Sequence, residues 1–118
     1  MNPYFYLKQV IGDYWNCDLD EKTINSSDFF LKAAKDAVKI SKTSIIKYVG
    51  HKFDPHGYTL LMVLADSSLT LHTWPEEKFI TVEIFSCSER SEPEKGLNFL
   101  QKLFNPRKYE IKHIKRDI

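Results

Sequence analysis

The chain has little that would direct it to a membrane, to nucleic acid or out of the cell. Its longest apolar run, Leu60 to Ala65, falls far short of the roughly 20 residues that a membrane-spanning helix needs. The opening Met1-Asn2-Pro3-Tyr4 has no charged region followed by an apolar core, so no secretory signal is expected. Cysteine is scarce: Cys17 and Cys87 are the two present. Without an export signal they read as reduced thiols of a cytoplasmic protein. Charge is nearly balanced, with a formal net of +1, so no strong field predicts a nucleic-acid or membrane partner. The basic residues near the end (Arg107, Lys108, Lys112, Lys115, Arg116) are interrupted by Glu110 and Asp117 and read as a solvated strand face. His51, His56, His72 and His113 have no metal-ligand spacing with a cysteine, so no metal site is expected. No internal repeat or low-complexity segment occurs.

What is present is an ordinary globular composition. The 118 residues, 42% hydrophobic and 28% charged, suffice for one core and too few for two, so a single domain over 1–118 is expected. Tyr4 to Tyr14 is rich in aromatic and β-branched residues and predicts a strand; Asn16 to Asn25 reads as a polar turn. Ser26 or Ser27 can cap a helix to about Ser41, with Phe30, Ala33, Ala34, Ala37 and Val38 at helical spacing. Strands are predicted at Ser44–His51, Tyr58–Ala65, Leu69–Trp74 and Phe79–Ser86, with turns at Phe53–Gly57 and Pro75–Lys78. The Tyr58–Ala65 run is continuous enough to suggest a strand that is central or buried on both faces. Ser91-Glu92-Pro93-Glu94 reads as a capping box opening a helix with Leu97, Leu100, Leu103 and Phe104 on its apolar face. Tyr109, Ile111 and His113 alternate in a last strand. The order β-α-β-β-β-β-α-β with short central links predicts an α+β two-layer sandwich, an antiparallel sheet with two helices on one face. The other face then needs a cover, which a second copy of the chain could supply.

The stretch Ala65 to Glu89 holds the candidate chemistry: a serine at a tight turn, a histidine on the next strand, a cysteine on the strand after. Each alone has an ordinary structural use. Hairpin geometry tests the combination. If Trp74 lies opposite Phe79, the register sets Cys87 opposite Asp66, about 4.8 Å away on the neighbouring strand. Cys87 would then lie beside the Asp66–Ser67 peptide bond. His72 lies five residues after Ser67, roughly 17 Å along an extended chain, and would reach Ser67 only if the turn folds back.

Asp66-Ser67-Ser68-Leu69-Thr70-Leu71-His72-Thr73-Trp74-Pro75-Glu76 resembles the segment around the cleavage serine of the bacterial and archaeal S-adenosylmethionine decarboxylase proenzymes. Phe85-Ser86-Cys87, His51-Lys52-Phe53-Asp54-Pro55-His56-Gly57 and Cys17-Asp18 match that family in order and spacing. The resemblance spans the chain from about Gly12 to the last strand.

It implies a pyruvoyl-dependent decarboxylase made as a proenzyme and cut between Asp66 and Ser67. The products would be a β chain, 1–66, and an α chain, 67–118. Ser67 would become the pyruvoyl cofactor, which holds the substrate amine as a Schiff base; neither metal nor pyridoxal phosphate is implied. His72 would act as proton acceptor in processing, and the Thr59 hydroxyl would assist it at the forming oxyanion. Cys87 would be the proton donor in turnover. Phe53 would stack on the substrate's adenine and Glu76 would accept hydrogen bonds from its ribose. The implied reaction yields decarboxylated S-adenosylmethionine and CO2 for polyamine synthesis, in a homodimer with its active site at or near the subunit interface. Asp66 stands where the family usually has Glu, Ser68 where it has His, and Thr59 where it has Ser. Two alternatives stay open at this point: a related decarboxylase of arginine or ornithine, and an uncleaved, non-catalytic homologue. His56, Tyr58, Tyr14 and Trp15 are open between pocket lining, core and dimer contact.

Overall fold

A computed structural model describes residues 7–116. Its elements are β1 (Leu7–Cys17), α1 (Glu21–Ile24), α2 (Ser27–Ile40), β2 (Ile45–Lys52), β3 (Tyr58–Leu64), β4 (Ser67–Trp74), a 3-10 turn (Pro75–Glu77), β5 (Phe79–Ser86), α3 (Pro93–Phe104) and β6 (Pro106–Arg116). The six strands form one sheet in the order β2-β3-β4-β5-β1-β6, with each neighbouring pair antiparallel. Strands β2 to β5 follow one another as hairpins, as their short links predict. The first strand is inserted between β5 and β6.

Sequence periodicity dictates which face is buried. In β5 the even positions Ile80, Val82, Ile84 and Ser86 are buried and the odd ones are not. The same alternation buries Leu69 and Leu71 in β4 and Tyr58, Leu60, Met62 and Leu64 in β3. Against them pack Phe30, Ala33, Ala34 and Ala37 of α2 and Leu97, Leu100 and Phe104 of α3, giving one core. Tyr14 crosses it, with its hydroxyl donating to the Leu97 carbonyl at 2.8 Å and its ring edge-on to Phe104. Gly96 lets the two helices cross closely, since a Cβ there would meet the Ala37 carbonyl oxygen at 2.8 Å. The two-layer α+β sandwich is therefore the observed fold.

The details depart from the sequence expectations in four places. The polar stretch before α2 contains a helical turn, α1, capped by the Asp20 side chain on the Thr23 amide. The expected first strand runs on to Cys17; its residues Tyr4 to Tyr6 lie outside the described residues. The β3 run is interior to the sheet, between β2 and β4, but is buried on one face only, with Leu61 and Val63 45% and 50% exposed on the other. The capping box at Ser91 does not form. Glu92 is the N-cap and makes no side-chain cap bond, because the Ser91 hydroxyl is buried against the Ser86 hydroxyl instead. The Ser26 cap does form, accepting from the Phe29 amide.

Candidate active site

The β4–β5 hairpin sets the site. Pro75 fixes the 3-10 turn, and Lys78 closes it in the left-handed region at φ 50°, so Trp74 pairs with Phe79 and the ladder runs unbroken to Ser67 opposite Ser86. One step further, the Cys87 amide donates to the Asp66 carbonyl at 3.0 Å. The register read from the sequence is the one observed, and Cys87 lies beside the Asp66–Ser67 bond. The Ser67 hydroxyl donates to Asp66 Oδ1 at 3.1 Å, and Thr43 Oγ1, from the α2–β2 link, donates to the same oxygen at 2.8 Å. Burial pushes the Asp66 carboxyl up, but hydrogen bonds from Thr43, Ser67 and Ser88 outweigh it and hold the group below the usual carboxylate range. Exposed Cys87 borders a shallow cavity of about 350 Å³ with Ser88, Glu89 and Arg90. The hydroxyls of Ser86 and Ser91, bonded to each other and to the Ser88 backbone, pin that loop.

The other candidates gather at the opposite end of β4. Thr59 pairs with His72 across β3 and β4, and Thr59 Oγ1 lies 3.0 Å from His72 Nδ1. Phe53, His56, Gly57, Thr59, His72, Thr73, Trp74 and Glu76 line a cavity of about 310 Å³. Phe53 is held by its amide on the Gly57 carbonyl at 2.9 Å and by the His51 ring, edge-on at 4.5 Å. Beyond His72, Thr81 donates to Asp13 Oδ1 at 2.6 Å. Of the residues left open between pocket and core, Tyr14 and Tyr58 are core and His56 lines the cavity. The Trp15 ring contacts Phe79, itself in contact with Trp74.

The candidate residues thus fall into two groups. Asp66, Ser67 and Cys87 are together; Phe53, Thr59, His72 and Glu76 are together; the two sets are not. Strand β4 runs extended from Ser67 to Trp74, so the turn does not fold back, and His72 stays roughly 17 Å from Ser67. For the same reason the Thr59 hydroxyl does not reach the Asp66 carbonyl of its own chain and bonds His72 instead. Thr59, His72 and Trp74 alternate with the buried residues and face away from the helices, toward the same open sheet face as Leu61 and Val63. The sequence reading missed Thr43. Its only local signal is a hydroxyl in a helix-to-strand link, and its contact with Asp66 exists only once β2 and β3 close.

Comparison with known proteins agrees with this architecture. The family model for S-adenosylmethionine decarboxylase matches residues 8–117. An S-adenosylmethionine decarboxylase proenzyme from Acidithiobacillus ferrooxidans is 31% identical over 108 residues, covering 92% of this chain and 80% of that protein. One from Methanococcus maripaludis is 32% identical over 111 residues, covering 94% and 89%; one from Clostridium botulinum is 31% identical over 107 residues, covering 91% and 90%. In fold, the chain resembles the adenosylmethionine decarboxylase of Aquifex aeolicus, with a TM-score of 0.85 at 24% identity over 97% of this chain and 92% of that one. With the family model matching nearly the whole chain and curated proenzymes about one-third identical along it, this chain belongs to the S-adenosylmethionine decarboxylase family.

Proposed function

We propose that this chain is a proenzyme that cuts itself between Asp66 and Ser67 and then decarboxylates S-adenosylmethionine, using a pyruvoyl group formed from Ser67. The observation that carries this reading is the Cys87 amide on the Asp66 carbonyl at 3.0 Å, with the Ser67 hydroxyl next to it. A serine hydroxyl reaches the carbonyl before it through a five-membered ring, and an amide aimed at that carbonyl stabilises the charge developing there. The position also suits the new group. The cut falls in the link between β3 and β4, so fragments 1–66 and 67–118 stay joined by the ladder from Tyr58–Thr73 to Val63–Ser68. The pyruvoyl carbonyl supplies an electron sink for loss of CO2 from an amino acid. Exposed Cys87, beside it, delivers the proton to the product carbon.

The other half-site comes from a second copy. A two-fold axis crossing β4 near Thr70, with the open sheet faces stacked, sets the partner's His72 over Ser67 and forms two equivalent sites. Exposed Leu61, Val63 and Trp74 on that face suit such a cover. There the partner's His72 removes the Ser67 Cα proton during processing, and the partner's Thr59 orients it. The partner's Phe53 stacks on adenine, and the partner's Glu76 accepts from the ribose hydroxyls. Both thiols are free, which suits a reducing cytoplasm.

Intact-mass analysis of the purified protein, followed by CO2 release from S-adenosylmethionine, arginine and ornithine in parallel, tests this reading. Two fragments meeting at 66/67 and release from S-adenosylmethionine are expected. A chain that stays whole on long incubation, or release from another substrate alone, overturns it.

A further inference from the structure

We propose that the Asp66 carboxylate is the base that takes the Ser67 hydroxyl proton when Ser67 attacks the Asp66 carbonyl, and that Thr43 is the positioning residue that holds it. The proposal rests on the self-cleavage reading and assigns a step that His72, at the far end of β4, does not serve in its own chain. Three contacts converge on one peptide unit. The Ser67 hydroxyl already donates to Asp66 Oδ1 at 3.1 Å. Thr43 Oγ1 fixes that same oxygen from a different element at 2.8 Å, so the carboxylate is not free to swing into solvent. The Cys87 amide polarises the electrophile at 3.0 Å. Base, nucleophile and electrophile therefore belong to two consecutive residues, clamped by two others.

The step balances within the chain. Ser67 Oγ bonds the Asp66 carbonyl carbon as its proton passes to Asp66 Oδ1, and the oxyanion is held by the Cys87 amide. The carbon–nitrogen bond then breaks, and the Ser67 nitrogen leaves with the proton that Asp66 returns. The result is an ester with a free amine and a carboxylate charged as at the start. Asp66 is ionised at neutral pH and accepts from the Ser67 hydroxyl; the hydrogen bonds that hold it below the usual carboxylate range lessen its basicity, so the proton it takes passes on readily to the leaving nitrogen. Asp stands here where the family resemblance expects Glu, and the shorter side chain keeps the carboxylate on the hydroxyl of the adjacent residue.

The test isolates ester formation. In a His72→Ala background the proton-removing step is blocked, and hydroxylamine cleaves any ester to release 67–118 with an intact Ser67. Adding Asp66→Asn should slow that release by about 10²-fold or more, with Asp66→Glu retaining part of the rate. Thr43→Val should slow it by about 10-fold, and Thr43→Ser should restore it to within about 3-fold, because the hydroxyl and not the shape is what matters. Melting curves of each variant identify any that fails to fold, and the Thr43 pair then carries the test alone. Release at an unchanged rate from folded Asp66→Asn, or equal rates from Thr43→Val and Thr43→Ser, overturns the assignment while leaving self-cleavage intact. A chain without either substitution that forms no ester overturns the self-cleavage reading instead.

Discussion

Co-expression of two variants, each unable to process alone, probes whether a site is built from two chains. On the proposed reading, Ser67→Ala lacks the attacking hydroxyl and His72→Ala lacks the imidazole that removes the Ser67 Cα proton. Within one chain the two positions are five residues apart on an extended strand, roughly 17 Å, while an imidazole, by its bond lengths, extends only about 5 Å from its own Cα. In the proposed two-fold dimer each site would draw Ser67 from one protomer and His72 from the other. A mixed dimer therefore holds one site with both lesions and one with neither. At equal expression about half of the His72→Ala chains meet a Ser67→Ala partner, so about half of them should be cut and none of the Ser67→Ala chains should be. The assay is intact mass, with a short tag on one variant to separate the fragments and to capture mixed dimers. Mixed dimers in which every His72→Ala chain stays whole would refute the reasoning, as would efficient cutting of a strictly monomeric chain.

Three further outcomes follow from the fold. Leu71, fully buried in mid-sheet, should cost about 2–5 kcal/mol on change to Ala; for a domain of this size that lowers Tm on the order of 10–20 °C, readable by thermal melting. Burial, partly offset by Lys78, raises the Cys17 thiol from its ordinary 9.0 to about 11. The unfolded chain then loses its proton first as pH rises, so stability present below pH 9 should decline through that window, and Cys17→Ala should flatten the decline in denaturant titrations at several pH values. Trp15 and Trp74 are linked through Phe79 on the open sheet face, so tryptophan emission should shift to the red when a dimer is diluted into monomers; an emission maximum independent of concentration while the oligomer dissociates contradicts the proposed interface.

The parts of the structure legible in the sequence are those where one physical rule dominates. Strict alternation and a short Pro75–Lys78 turn leave one sensible register for β4 and β5, and that register brought Cys87 to Asp66. The helix over Ser27–Ile40 was legible because its apolar spacing and its Ser26 cap agree. Helix α1 was not, because four residues are too few to show a period. Ser91 misled because a cap and a buried serine pair use the same hydroxyl, and only the packed loop decides between them. Tyr14 and Tyr58 could not be assigned to core or pocket from residue type, since both offer an apolar ring and a polar tip. Thr43 was invisible because its partner is 23 residues away and is brought near by folding alone.

Strand β4 also works as a gauge. On the proposed two-chain site its two ends carry different halves of the chemistry, so the number of residues between Ser67 and His72 would set both the offset between stacked sheets and the face on which the imidazole emerges. Deleting one residue there shortens the span by about 3.3 Å and turns His72 toward the helices. Deleting two restores the face and leaves the offset wrong by about 7 Å. The proposed assembly thereby confines the interval to a single value, and any change in it would have to be matched by a compensating shift along the whole sheet contact.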